Sequence, residues 1–259
     1  MQTIAISGQK GGTGKTTTAH TLGVALATNH GRRTLLVDLD PQGSLSLACG
    51  VTDAQGASLA EVIGGAMPGL LAMGDVLQEL QAGLWLAPSD IALASAELGM
   101  ASRLGREGSL AWALASVGSG FDVCLIDCPP SLGLLTVNAL VASDGVVIPT
   151  LAETVGLRAL RVFLGTLQEV RQALNASLET VGVVVTFYDR RLRLHRQSLE
   201  AIEGAGLPVL RTIGRSVRVA EAAAIGETVL TYARRNPQAV AYRELAQEVD
   251  GWLRSRIEQ

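Results

Sequence analysis

Seven short runs, at residues 3–7, 34–38, 84–87, 122–127, 145–150, 181–187 and 208–213, are apolar and β-branched at almost every position. Most do not alternate apolar with polar residues, so they read as strands buried on both faces. Between them lie longer segments of helical period, at 15–29, 91–103, 109–117, 132–142, 157–174, 194–203 and 239–257. Strands of that kind alternating with helices fit few architectures. The expectation is an α/β fold: a mostly parallel twisted sheet covered by helices on both faces. Residues 50–83 are Gly- and Ala-rich with weak period and read as small helices and loops on the same domain, residues 1–259 forming one unit.

At 259 residues, 48% hydrophobic and 17% charged, the chain can bury a large core. No run of about 18 apolar residues is present to span a bilayer, and the N-terminus lacks a basic, signal-like start. The expected location is the cytoplasm. Cys49, Cys124 and Cys128 are odd in number and lack zinc-ligand spacing, so they read as reduced thiols. A net charge of -3 excludes a generally basic nucleic-acid binder and leaves only a local cationic patch.

The first strand runs into QKGGTGKTTT (9–18) and then a helix. Glycines at that junction let backbone N–H groups turn inward around an anion at the helix N-terminus. The pattern G-x-x-x-x-G-K-[ST] is met at Gly14, Lys15 and Thr16, but its first glycine falls on Gln9. Lys10 and Lys15 are the only lysines; the other 19 cations are arginines. Lys15 is placed to reach β- and γ-phosphate oxygens as a compact point charge. At about 4 Å and an effective dielectric near 20, such a contact is worth roughly 4 kcal/mol before desolvation. Lys10 stands at the loop entrance and projects away from the cradle, where it could reach the phosphates of a second, facing subunit.

KGGTGKTTT, LLVDLDPQGS (35–44) and CLIDCPPS (124–131) together resemble the deviant Walker A ATPases of the ParA/Soj/MinD group. VVVTFYDRRLRL (183–194), RTIGRSVRVAEAAAIGETVLTY (211–232) and AVAYRELAQEV (239–249) are similar to its ParA/Soj partition branch. The resemblance covers nearly the whole chain. It implies a P-loop ATPase using ATP and Mg2+, with Lys10, Gly11, Gly12, Thr13, Gly14, Lys15, Thr16 and Thr17 forming the nucleotide cradle.

The acidic residues fit that implication. Asp38 and Asp40 end an apolar strand beside the loop, where a switch senses the γ-phosphate and its magnesium. The resemblance assigns Asp40, with Lys10 and Lys15, to catalysis, Asp40 orienting the attacking water. Asp38 is implied as a nearby structural or metal-shell carboxylate. Asp127 ends DVCLID before two prolines, as a Walker B aspartate would, with Thr16 on Mg2+ directly and Asp127 through water. No arginine near the loop is placed as a finger in cis, which predicts slow intrinsic turnover. The family further implies that ATP closes two subunits into a homodimer with Lys10 crossing the interface. A ParB/Spo0J-like centromere-binding protein then accelerates hydrolysis and dissolves it.

RRLRLHR (190–196) holds four arginines and a histidine, and Arg211, Arg215 and Arg218 follow. The resemblance carries DNA contact onto Arg191 and Arg218, with Arg190, Arg193 and Arg215 as neighbours in one patch. Few aromatics are available to stack on bases, so contact with double-stranded DNA is expected at phosphates and without sequence preference. Binding would place the protein on the nucleoid. His195 reads as surface filler.

This chain departs from the family where partition ATPases often read Pro-Arg-Asn: it has Gly214, Arg215 and Ser216. Those flanking positions lie against adenine in relatives, so Gly214 and Ser216 are candidate base contacts that put base selectivity in question. Ala223 replaces a usual proline. The alternative functions are a MinD-like membrane-cycling ATPase, a positioner of another cargo, an ATP-dependent ligase and an iron-sulphur reductase. Residues 249–259 carry Trp252, Leu253 and Ile257 beside Asp250 and Glu258, which reads as a packing helix and argues against membrane binding. The ligase would need a substrate pocket, and the reductase would need cysteines paired outside 124–128. Because the first strand starts the sequence, no N-terminal helix-turn-helix is expected. Chromosome or plasmid segregation is the function expected.

Overall fold

The computed structural model describes residues 1–52, 57–64 and 71–257, with the side chain of residue 257 outside it. In chain order the strands are β1 (Gln2–Ile6), β2 (Thr34–Asp38), β3 (Gln78–Gln81), β4 (Leu84–Ala87), β5 (Val123–Asp127), β6 (Gly145–Leu151), β7 (Glu179–Thr186) and β8 (Val209–Ile213). The helices are α1 (Lys15–His30), α2 (Ser44–Ala48), α3 (Leu59–Ile63), α4 (Met73–Val76), α5 (Ala92–Met100), α6 (Ser109–Ala115), α7 (Leu134–Val141), α8 (Thr154–Ala173), α9 (Arg193–Gly204), α10 (Val217–Ala224), α11 (Val229–Tyr232) and α12 (Pro237–Ile257).

The strands form one eight-stranded sheet ordered β3-β4-β2-β5-β1-β6-β7-β8, parallel throughout except for β3. Every residue of β2 (TLLVD) and β5 (VCLID) is buried, their apolar centres covered on both faces and an aspartate closing each carboxyl end. Two apolar clusters fill the two faces. One includes Leu22, Leu26, Tyr242 and Leu245 of α1 and α12; the other includes Leu93, Leu135, Phe163 and Leu167 of α5, α7 and α8. Each fully buried large side chain contributes about 1.5–3 kcal/mol.

Helix periodicity follows these contacts. In α8 the buried residues Gly156, Leu160, Phe163, Leu167 and Val170 recur at three- and four-residue steps, one stripe on the sheet. In α12, Tyr242, Leu245, Ala246, Val249 and Leu253 do the same against α1. The expected packing helix is therefore present, and no described helix is long and apolar enough to cross a membrane. Asp250, buried on α12, is held by Arg32 at 2.7 Å and Arg254 at 2.7 Å.

Two features aim α1 at the site. A Cβ on Gly23 would lie 2.6 Å from Leu36 Cδ2, so only glycine lets the helix sit this close to β2. Across β1, the chain switches from β5 on one side to β6 on the other. In open α/β sheets, ligands bind beyond the carboxyl ends of the strands at such a reversal.

The sequence reading of 50–83 needs one correction. Small helices are present, but Gln78–Gln81 is an antiparallel edge strand on β4, shifted in register between Glu79 and Gln81. Its polar sequence, QELQ, carries no strand signal, and pairing with β4 creates it. Residues 53–56 and 65–70 of that stretch, and Glu258, lie outside the described residues. Helices α10 and α11 were also not expected. The three cysteines are free thiols, as expected.

Candidate nucleotide site

The loop after β1 turns on Gly12 and Gly14, whose φ values of 72° and 81° are in the left-handed region. Gly14 is the N-cap of α1, and no side chain caps that end. The backbone N–H groups there are thus open to an anion, with the helix dipole in support. Thr13 is buried, and its carbonyl lies 2.8 Å from the Thr186 hydroxyl, which ties the loop to the end of β7.

Lys15 is buried, and its Nζ donates to the Lys10 carbonyl at 3.1 Å. Burial pushes its ammonium pKa down, while Asp127, Cys128 and Asp40 pull it up. Thr16 donates its hydroxyl to Asp127 Oδ2 at 2.7 Å. Parallel registers align Ile6 with Asp127 and Asp38 with Asp127, so β5 sets Asp127 between the loop and Asp38.

Asp127 is fully buried, and its Oδ1 has no hydrogen-bond partner. Burial, then the charge of Asp38, hold its carboxyl well above the usual range, against the Thr16 hydrogen bond and Lys15. Asp38 accepts from Ser46 N and Ser46 Oγ, both at 2.8 Å, and from Asp40 N at 3.2 Å. Burial still raises its pKa from 3.8 to about 6. Two buried carboxyls face one buried ammonium, so ionising both would leave negative charge that a bound cation could compensate. An orphaned buried carboxylate oxygen beside the Thr16 hydroxyl fits a hard divalent cation such as Mg2+. Asp40 is only half-buried, and its Oδ1 caps the Gln42 amide at 3.0 Å.

Lys10 does not project freely. Its Nζ lies 3.9 Å from Glu153 Oε2, just before α8, and its side chain is partly buried. That pair is loose and half-exposed, so it holds Lys10 weakly. Gly11 sits near Pro130, where a Cβ would make ordinary contact at 3.8 Å.

Beside the loop a cavity of about 150 Å³ is lined by Gly14, Thr17, Thr186, Phe187, Ile213, Gly214, Ser216, Val219, Ala220, Ala223 and Tyr242. Gly14 and Thr17 on the phosphate side thus meet Gly214, Ser216 and Ala223, the positions where this chain departs from the family pattern. A Cβ at Gly214 would lie 2.7 Å from Gln238 Nε2, and the Ser216 hydroxyl accepts from Asn236 Nδ2 at 3.3 Å. Sequence reasoning missed Phe187 here, taking it only as a strand end. Its φ is +52°, the only positive value at a non-glycine among the described residues. For a bulky side chain that conformation costs on the order of 1–3 kcal/mol.

A second cavity of about 480 Å³ is lined by Gly12, Leu151, Glu153, Phe187, Asp189, Leu192, His195 and Arg215. It brings Arg215 beside the 190–196 segment, which runs from the turn after β7 into the first turn of α9. Arg190, Arg191, Arg193, Arg215 and Arg218 are all exposed. Two are held by carboxylates of their own chain: Arg191 by Asp189 at 2.8 Å and Arg218 by Glu221 at 2.8 Å. The side-chain hydrogen bond from Arg191 lowers Asp189 to about 2. Arg211 is drawn away by Glu244 and Glu248 of α12, so it does not join the others. His195 is not filler: its Nδ1 accepts the Asp189 amide at 2.9 Å and its ring lies 5.9 Å from that of Tyr188.

The AAA domain family AAA_31 matches residues 1–180. The sporulation initiation inhibitor protein Soj of Bacillus subtilis is 40% identical over 95% of this chain and 97% of its own length. The chromosome partitioning protein ParA of Caulobacter vibrioides is 40% identical over 99% of this chain and 96% of its own. This chain belongs to the ParA/Soj family of partition-type P-loop ATPases. Among solved structures, cobyrinic acid a,c-diamide synthase from Mycobacterium smegmatis, with bound ATP analog and magnesium, superposes with a TM-score of 0.83. It is 38% identical over 97% of this chain and 96% of that one. The ParA/Soj member described here thus shares its fold with a protein that holds both ligands.

Proposed function

We propose that this ParA/Soj-family chain binds ATP and Mg2+ at the β1–α1 loop, dimerises on them, holds DNA in that form and hydrolyses ATP slowly. The observation that carries the reading is the cluster of Lys15, Thr16 and Asp127, with Asp127 Oδ1 buried and unpartnered. Lys10, Gly11, Gly12, Thr13, Gly14, Lys15, Thr16 and Thr17 cradle the phosphates by backbone N–H groups and the Lys15 ammonium. Thr16 and Asp127 hold the metal, which supplies charge neutralisation at the β- and γ-phosphates. Asp38 braces the 38–46 segment through Ser46, and Asp40 orients water. Gly214 and Ser216 face the base.

Lys10 leaves Glu153 to cross to a second subunit. The nucleotide therefore shifts a monomer–dimer equilibrium by its differential affinity for the two states. Arg191 and Arg218, with Arg190, Arg193 and Arg215, contact DNA phosphates, and a ParB/Spo0J-like protein stimulates turnover. The biological task that follows is chromosome or plasmid segregation.

Plasmid co-sedimentation with a nonhydrolysable ATP analogue tests this. The wild type should pellet with DNA, and a protein carrying Arg191→Ala and Arg218→Ala should stay dimeric but unbound. With about four phosphates neutralised per dimer, log affinity should fall with log salt at a slope of roughly -3 to -4. Sedimentation with liposomes and not with plasmid would favour the membrane-cycling alternative. The name of the M. smegmatis protein favours a second reading, ATP-driven amidation with an ammonia donor; conversion of cobyrinic acid to its amide that requires both ATP and ammonia or glutamine would establish it.

A further inference from the structure

Strand β7 ends at Thr186, paired with Ile213 of β8. Two residues on, the Tyr188 amide donates to the same Ile213 carbonyl at 3.0 Å. Phe187 is therefore an extra residue opposite Ile213, a bulge with its backbone in the left-handed region at φ +52°. Bulges re-aim the chain, and a strained backbone at a bulky residue persists only where its surroundings over-determine it.

Phe187 is the one residue shared by the linings of the two cavities described above. Before it, the Thr186 hydroxyl reaches the Thr13 carbonyl of the phosphate loop at 2.8 Å. Beyond it, the Asp189 amide donates to His195 Nδ1, and the Asp189 carboxylate grips the Arg191 amide at 2.9 Å and its guanidinium at 2.8 Å. A continuous bonded path thus runs from the phosphate loop to Arg191 in six residues, and its single strained joint is Phe187.

We propose that Phe187 is a positioning residue that couples the nucleotide cavity to the arginine loop: a base seated against Phe187 fixes the bulge and, through Asp189 and His195, the presentation of Arg191. The inference rests on the reading that the smaller cavity receives the base. An occupied cavity removes the freedom of the bulge to relax, so the loop after it is ordered before DNA arrives. The coupling needs the aromatic side chain, whereas the backbone conformation needs only a residue that tolerates positive φ.

Amide hydrogen exchange on the full chain separates these, with ADP and Mg2+ added at concentrations that saturate each variant and no DNA present. In the wild type, nucleotide should slow exchange at 188–191 by about tenfold. In Phe187→Gly, which relieves the backbone strain and deletes the side chain, that slowing should vanish while protection of the 10–17 loop remains. Phe187→Asn also tolerates the left-handed region without the backbone freedom of glycine, and should behave the same way. Equal nucleotide-dependent slowing at 188–191 in the wild type and both variants overturns the proposal. A wild type that protects 10–17 but not 188–191 overturns it too. Protection at both segments without DNA binding would refute the DNA reading and leave the coupling standing.

Discussion

Asp38 offers a test of the site's electrostatics that needs no ligand. Its pKa is raised from 3.8 to about 6, burial outweighing three hydrogen bonds from Ser46 and Asp40. A carboxyl whose folded pKa is raised contributes its stability below the unfolded pKa and loses it as pH climbs through the folded one. Between pH 3.8 and about 6 the unfolded chain ionises while folded Asp38 keeps its proton. At about 1.4 kcal/mol per pKa unit the full loss is about 3 kcal/mol, most of it falling between pH 4 and 7.5. Asp38→Asn removes that slope. An asparagine amide opposite the Asp40 N–H forfeits one hydrogen bond, about 1 kcal/mol, but at every pH alike. Urea unfolding of both proteins at pH 4 and 7.5, without Mg2+ or nucleotide, should show the wild type losing about 2–3 kcal/mol more than Asp38→Asn. Removing the Asp38 charge also relieves Asp127, which widens the gap. Parallel pH dependences would refute the claim that this carboxylate is held at an electrostatic cost.

Lys15→Ala removes the buried ammonium, and with it roughly 4 kcal/mol of phosphate contact before desolvation; titration calorimetry should show ATP affinity falling by about a thousandfold or beyond detection. Asp189→Asn weakens the exposed carboxylate hold that presents Arg191. Plasmid affinity should fall by about fivefold at most, read by fluorescence anisotropy, with ATP affinity unchanged.

Much of this was legible because burial writes itself into composition. β2 and β4 run 34–38 and 84–87 as expected, since strands covered on both faces are dominated by apolar residues. The phosphate loop was legible because only glycines take the backbone of positions 12 and 14. β3 was not, because QELQ has no pattern of its own and owes its conformation to β4. Nor was Phe187: a phenylalanine after a valine run looks like strand, and where a bulky residue rather than glycine takes a left-handed φ, nothing in the residue type shows it. The histidine at 195 looked idle for a related reason. Its partner is a backbone amide six residues away, brought near by the turn between them. The acid clamp on Arg218 was visible in principle, since Glu221 stands three residues on along one helix face.

The central claim is that nucleotide joins two copies through Lys10. Sedimentation velocity with a nonhydrolysable ATP analogue and Mg2+ should take the wild type from 27.0 kDa to twice that mass, and leave Lys10→Gln monomeric although it still binds the analogue. A wild type that binds the analogue and stays monomeric, or a Lys10→Gln protein that doubles as readily, would contradict it.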